Sequence, residues 1–142
     1  MMYFVSPPLL YKKIFNKAIW NIPTHEKIVY LTFDDGPIPE VTPWVLEVLK
    51  KQEAKATFFC IGDNVKKHPE LFQRIISEKH TIGNHTFNHL NGLKTPSNTY
   101  VENVKRCNEL TQSKLFRPPY GKIKPSQFAI LRSQFAIIMW SV

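Results

Sequence analysis

The feature that most constrains this chain is an alternation. Five short apolar runs, at residues 28–33, 56–61, 81–84, 115–117 and 135–141, alternate with segments whose apolar residues recur at helical spacing. Val41, Trp44, Val45, Val48 and Leu49 follow the i, i+3, i+4, i+7, i+8 pattern of one helix face. Pro69 opens a second helix that turns Leu71, Phe72, Ile75 and Ile76 inward. A third helix over 98–112 carries Val101, Val104 and Leu110 inward, and a fourth covers 125–132. Ahead of the first strand, Leu10, Ile14, Phe15, Ala18 and Ile19 predict an N-terminal amphipathic helix. Strands joined by helical crossovers run parallel. The expected class is therefore α/β, in the single domain that 142 residues supply.

The polar clusters fall where these strands end. Asp34-Asp35 follows the first, His85 and His89 follow the third, and Arg117-Pro118-Pro119-Tyr120 follows the fourth. Chemistry gathers at that rim in an α/β barrel, and by a similar rule in an open doubly wound sheet. In Thr32-Phe33-Asp34-Asp35-Gly36-Pro37 two adjacent carboxylates repel unless a cation holds them, and a divalent metal would do so. Strand alternation would send their side chains in different directions, one to metal and the other to substrate or water. An Asx turn into Gly36-Pro37 explains one aspartate, not two.

His85 and His89 are four apart, which on a helical turn or a loop of similar pitch brings both rings to one side. With a carboxylate they make a site with open positions that suits zinc in a hydrolase, or iron in an oxygenase. The plain alternative is two unrelated loop histidines. His25, His68 and His80 have no such company and read as surface residues. Arg117, held rigid by two prolines, can pair with and orient a carboxylate. The backbone beyond those prolines can present an N–H to a developing oxyanion.

Composition narrows the partners. The net charge is +8, but the lysines are dispersed, Lys12-Lys13 with Lys17 being the densest cluster. They read as solvated helix faces, and without a long basic tract or an accompanying motif no nucleic-acid partner is expected. Cys60 lies within an apolar run and Cys107 within a predicted helix, and neither has zinc-thiolate spacing. No apolar stretch is long enough to span a membrane. Residues 3–11 are interrupted by Pro7-Pro8 and follow no basic region, so no signal peptide is expected and the default compartment is the cytoplasm.

Taken in order, Thr32–Pro37, His85–His89 and Arg117–Tyr120 closely resemble the first three motifs of the polysaccharide deacetylase (NodB-homology) family of carbohydrate esterases. Residues 56–62 resemble that family's second-strand segment, and the likeness runs from Lys27 to Val142. It implies an N-terminal helical extension at 1–26 and a distorted (β/α) barrel over 27–142, cut short after about five strands. It implies metal-dependent removal of N-acetyl groups from amino sugars of a peptidoglycan- or chitin-like polysaccharide. Asp35, His85 and His89 would bind a divalent metal, with zinc the first choice and Co²⁺, Ni²⁺ or Mn²⁺ as alternatives. Asp34 would be the general base, Arg117 would pair with it, and the Tyr120 N–H would stabilise the oxyanion. Pro119, Tyr120 and Trp140 would contact substrate, although a tryptophan at a strand end is otherwise most often core.

The resemblance stops before the aspartate-aromatic pair of the family's fourth motif and the leucine-histidine pair of its fifth, which supplies the general acid. Rival readings are a truncated, non-catalytic metal- or glycan-binding remnant and an amidohydrolase acting on a small non-peptide C–N bond. Five strands cannot close a barrel, so the first and fifth are expected to keep unpaired edges or an exposed apolar face.

Overall fold

The computed structural model describes residues 9–140. Five strands form one sheet: β1 (Thr32–Asp34), β2 (Thr57–Cys60), β3 (Thr81–Asn84), β4 (Leu115–Phe116) and β5 (Ala136–Ile137). Their order in the sheet is their order in the chain, and every pairing is parallel. A doubly wound sheet reverses its direction of growth partway. Growth in one direction only is the winding of a barrel wall. The crossovers are α2 (Thr42–Lys51), then α3 (Gly62–Lys67) with α4 (Pro69–Ser77), then α5 (Ser97–Thr111) and α6 (Pro125–Leu131), while α1 (Leu9–Ile14) precedes the sheet.

Two apolar clusters hold these layers together. Val45, Leu46 and Leu49 of α2 pack with Phe58 of β2 and with Phe72 and Ile75 of α4. Tyr100 and Val104 of α5 pack with Phe116, Phe128, Leu131 and Ile137 under β4 and β5. Both cysteines are buried, free thiols, and Cys60 is fully enclosed. Burial pushes both thiols up, Cys107 to about 12, so neither is a ready nucleophile.

Several expectations need correction. The first strand begins at Thr32 rather than at 28, and Ile28, Val29, Tyr30 and Leu31 are exposed. Apolarity marked this run, but β1 is an edge strand, and among the described residues only Phe33 finds a stacking partner, Phe58, at 5.2 Å. The inward face of α2 is Thr42, Val45, Leu46 and Leu49, while Trp44 is 67% exposed. The helix is apolar on most sides, so two faces satisfied the same periodicity. α3 had no sequence expectation, and Ile76 and Leu110 face outward. His80 is buried, with Nδ1 accepting the Ala56 N–H at 3.3 Å, rather than a surface residue.

The N-terminal helix has only six residues, fewer than two turns, and its Leu10 and Ile14 are exposed. The chain after it bends onto β5. The Ile19 N–H donates to Ile137 O, and Ile19 O accepts from the Met139 N–H, both at 2.8 Å. This bridge occupies the outer side of the fifth strand, where a free edge was expected. β5 itself spans two residues instead of 135–141, of which 141 lies outside the described residues. No helix of the described residues is long and apolar enough to cross a membrane.

Candidate metal centre and its surroundings

Asp34 is the last residue of β1, and Asp35 has already left the strand with φ 69°. The two carboxylates therefore diverge because of a left-handed turn, not because strand pleating continues. The Asp35 carbonyl accepts Asn64 Nδ2 at 2.7 Å, and the Gly36 carbonyl accepts the Ile61 N–H at 2.9 Å.

The histidine segment is a loop rather than a helical turn, with Thr86 at φ 64° and His89 at φ 54°. Asn84, fully buried at the end of β3, starts it: Nδ2 donates to Val104 O and Oδ1 accepts the Thr86 N–H, both at 2.9 Å. Asn103 on α5 then accepts the N–H groups of Phe87 and Asn88 at 2.8 and 3.0 Å. These bonds bring the two imidazoles to a centroid separation of 5.1 Å.

His85 is 2% exposed, and its Nδ1 lies 2.7 Å from the Arg117 carbonyl. A carbonyl only accepts, so Nδ1 carries a proton, and in the neutral ring Nε2 keeps its lone pair. That Nε2 lies 3.4 Å from Asp35 Oδ1, and His89 Nε2 lies 3.0 Å from the same oxygen. One ligand atom from each of the three residues falls within 4.8 Å of the others. Wherever the rings are protonated, the hydrogen bond from His85 and the charge of the imidazoles outweigh burial and hold the Asp35 carboxyl below its ordinary value. Burial depresses the His89 pKa, and the nearby carboxylates only partly oppose this. Both shifts favour the forms that ligate metal: carboxylate and neutral imidazole. Two imidazoles and one carboxylate, with an open side, fit a divalent cation.

Asp34 meets a different partner. Arg117 is 4% exposed, and its Nη1 donates to Asp34 Oδ1 and to Thr32 Oγ1, each at 2.8 Å. Its Nε and Nη2 reach the carbonyls of Ile138 and Met139 at 3.3 and 3.1 Å, and the guanidinium lies 4.2 Å from the Phe59 ring centre. One side chain thus ties together the ends of β1, β2, β4 and β5.

Tyr120 sits at φ 59°, with its ring 4.6 Å from that of His89 and 57% of the residue exposed. The N–H groups of Gly121 and Lys122 close the turn onto Pro118 and Pro119, and the Tyr120 N–H enters neither bond. Trp140 covers Gly121, where a Cβ would lie 2.5 Å from the indole. Pro119 is buried and opens this turn. Sequence reasoning missed Asn64, Asn84 and Asn103. Their acceptors and donors are largely backbone atoms of distant segments, which leave no mark on local sequence.

The sequence profile of the polysaccharide deacetylase family matches residues 21–134. The peptidoglycan-N-acetylglucosamine deacetylase of Bacillus cereus is 41% identical over 127 residues, which cover 84% of this chain and 46% of that protein. The crystal structure of the Bc1960 peptidoglycan N-acetylglucosamine deacetylase superposes with a TM-score of 0.76 at 40% identity, covering 84% of this chain and 59% of the other. A family 4 carbohydrate esterase described as a pseudoenzyme, BA3943 of Bacillus anthracis, superposes at 0.78 with 27% identity, covering 87% and 46%. The chain belongs to the polysaccharide deacetylase family. It spans about half the length of the curated relatives it matches.

Proposed function

We propose that this chain carries the metal site and general base of a hydrolase that removes N-acetyl groups from amino sugars of a peptidoglycan- or chitin-like glycan. The observation that carries this reading is the separation of two adjacent carboxylates onto opposite partners, Asp35 among imidazoles and Asp34 on a buried arginine.

A divalent cation held by Asp35, His85 and His89, with zinc the expected ion and Co²⁺, Ni²⁺ or Mn²⁺ as alternatives, would supply a Lewis acid and acidify water at an open position. His85 is fixed for that task by the Arg117 carbonyl, which leaves its Nε2 free. Asp34 takes the proton of the attacking water. Arg117 holds Asp34 by Oδ1 alone among the described bonds, which leaves Oδ2 for the proton. The Tyr120 N–H is the candidate donor to the oxyanion that develops on the acetyl carbonyl. Tyr120 and Trp140 supply the aromatic faces beside the site, and Pro119 supports the turn that presents them.

A non-catalytic binding role is the second reading, and the likeness to the Bacillus anthracis pseudoenzyme favours it, because fold does not fix activity. Acetate release from N-acetylglucosamine oligomers and from peptidoglycan, measured on the zinc-loaded protein, separates the two. The deacetylase reading expects release that Asp34→Asn abolishes while metal stays bound. It expects Asp35→Asn to lose metal and turnover together. Firm metal binding with no acetate from either glycan, both in this chain and in one extended through the fourth and fifth motifs, establishes the binding role instead.

A further inference from the structure

The loops that carry Asp35 and the two histidines leave β1 and β3, and β2 lies between those strands. The turn after β2 spans the gap. Four consecutive residues there each donate one hydrogen bond outward. The Ile61 N–H reaches Gly36 O at 2.9 Å, and Asn64 Nδ2 reaches Asp35 O at 2.7 Å. The Gly62 and Asp63 N–H groups reach Thr86 O and Phe87 O at 3.0 and 2.9 Å. Two bonds hold the aspartate loop and two hold the histidine loop. The turn sits hard against the second, since a Cβ on Gly62 would lie 2.5 Å from Phe87 Cδ2.

Three of these donors are backbone groups that any non-proline residue supplies. The fourth belongs to Asn64 alone, and it lands on the peptide of Asp35 itself. Asp35 needs such a hold. Its φ of 69° is unfavourable for a residue with a Cβ and persists only where the surroundings impose it.

We infer that Asn64 is a positioning residue for the carboxylate of the metal site. Its amide fixes the Asp35 peptide in the left-handed conformation, and so sets the distance from Asp35 Oδ1 to the two imidazole nitrogens. The inference rests on the reading of Asp35, His85 and His89 as metal ligands. Asn64 is the third residue of α3 and is half-buried, and its side chain makes no cap to that helix. Asn64→Leu therefore removes the donor at similar size while the three backbone donors remain.

The test is a Co²⁺ titration followed by visible absorption, beside urea unfolding of the metal-free protein. Asn64→Leu is expected to weaken Co²⁺ binding about 10–100-fold, the range for partners that orient a ligand, and to change the absorption band. Its metal-free unfolding midpoint stays close to wild type. Asn64→Gln keeps an amide donor and recovers part of the affinity. Wild-type affinity and band shape in Asn64→Leu overturn the inference. So does a loss of affinity matched by an equal loss of metal-free stability with no recovery in Asn64→Gln, because the residue is then structural only. A wild-type protein that binds Co²⁺ no better than His89→Ala refutes the metal reading itself, and this inference with it.

Discussion

The two halves of the site are built in different ways. The imidazole and guanidinium half grows from interior strands: His85 follows β3, Arg117 follows β4, and both are almost fully buried. The carboxylate half grows from the edge strand β1, behind an apolar run that is itself exposed. The side chains of Asp34 and Asp35 are 35% and 51% exposed. Neighbouring strands position the first half through packing. The second is held by single contacts from elsewhere in the chain, Arg117 to Asp34 and Asn64 to Asp35.

The largest test of this contrast is Arg117→Ala. It removes four hydrogen bonds, two of them to carbonyls at the end of β5, and the cation over Phe59. Burial makes those losses costly, and a destabilisation of about 3 kcal/mol in urea unfolding is expected. Asp34→Asn, at the exposed end of the same pair, should cost about 1 kcal/mol or less. Equal costs would mean that the arginine is held no more firmly than the carboxylate it holds.

The next pair of substitutions separates stability from ligation. His85→Ala opens a buried space and orphans the Arg117 carbonyl, so about 2 kcal/mol of metal-free stability should go with it. Asp35→Asn, which tolerates the left-handed backbone there, should change metal-free stability by about 0.5 kcal/mol or less. Metal affinity should fall in both by more than the roughly 10–100-fold typical of residues that merely orient ligands. Isothermal titration and unfolding of the same samples give both numbers. A marked stability loss in Asp35→Asn would show that the carboxylate half is as much a part of the core as the imidazole half.

A smaller effect distinguishes His80, at the opposite end of β3 from the site. Burial, helped by the charge of Lys55 and opposed by Glu78, lowers its pKa below the ordinary 6.5. The folded state therefore prefers the neutral ring, whose Nδ1 accepts the Ala56 N–H. Its contribution is fully present above about pH 6.5 and declines as pH falls further, because the unfolded chain takes up a proton that the folded chain resists. The decline ends once pH passes the folded pKa. Asn in place of His80 keeps an acceptor without titrating, so unfolding midpoints between pH 7.5 and 5 should fall less steeply in His80→Asn. Parallel slopes would remove His80 from the account.

What could be read in the sequence follows the same division. Asp34, Asp35, His85, His89 and Arg117 stood out because strand ends are fixed by local apolar pattern, and polar residues there are conspicuous. β3 was placed to the residue, since Thr81–Asn84 is paired on both sides and its pattern reflects its surroundings. The apolar run at 28–31 misled because periodicity records hydrophobicity, not whether a neighbour is present. The left-handed turns at Asp35, His89 and Tyr120 were invisible because none of the three is the glycine that usually marks such a conformation. Asn64, Asn84 and Asn103 were equally hidden, since an asparagine whose amide bonds backbone groups of another segment looks, in sequence, like any other asparagine of a helix or strand.

The smallest expected effect concerns that misread run. Val29 is 80% exposed, and Leu31 O, which accepts the Thr57 N–H at 3.0 Å, is where the run first joins the ladder with β2. Val29→Lys therefore removes little packing and should alter unfolding free energy by about 0.5 kcal/mol or less. Its effect should appear in association instead. An apolar edge without a neighbour is a template for pairing with another chain, and a lysine there disfavours the pairing. Light scattering of the two proteins at matched concentration should show less self-association in the variant. A destabilisation well above 1 kcal/mol would place Val29 in a packed environment. The carboxylate half would then rest on a buried strand like the other half, and the contrast between them would fail at its root.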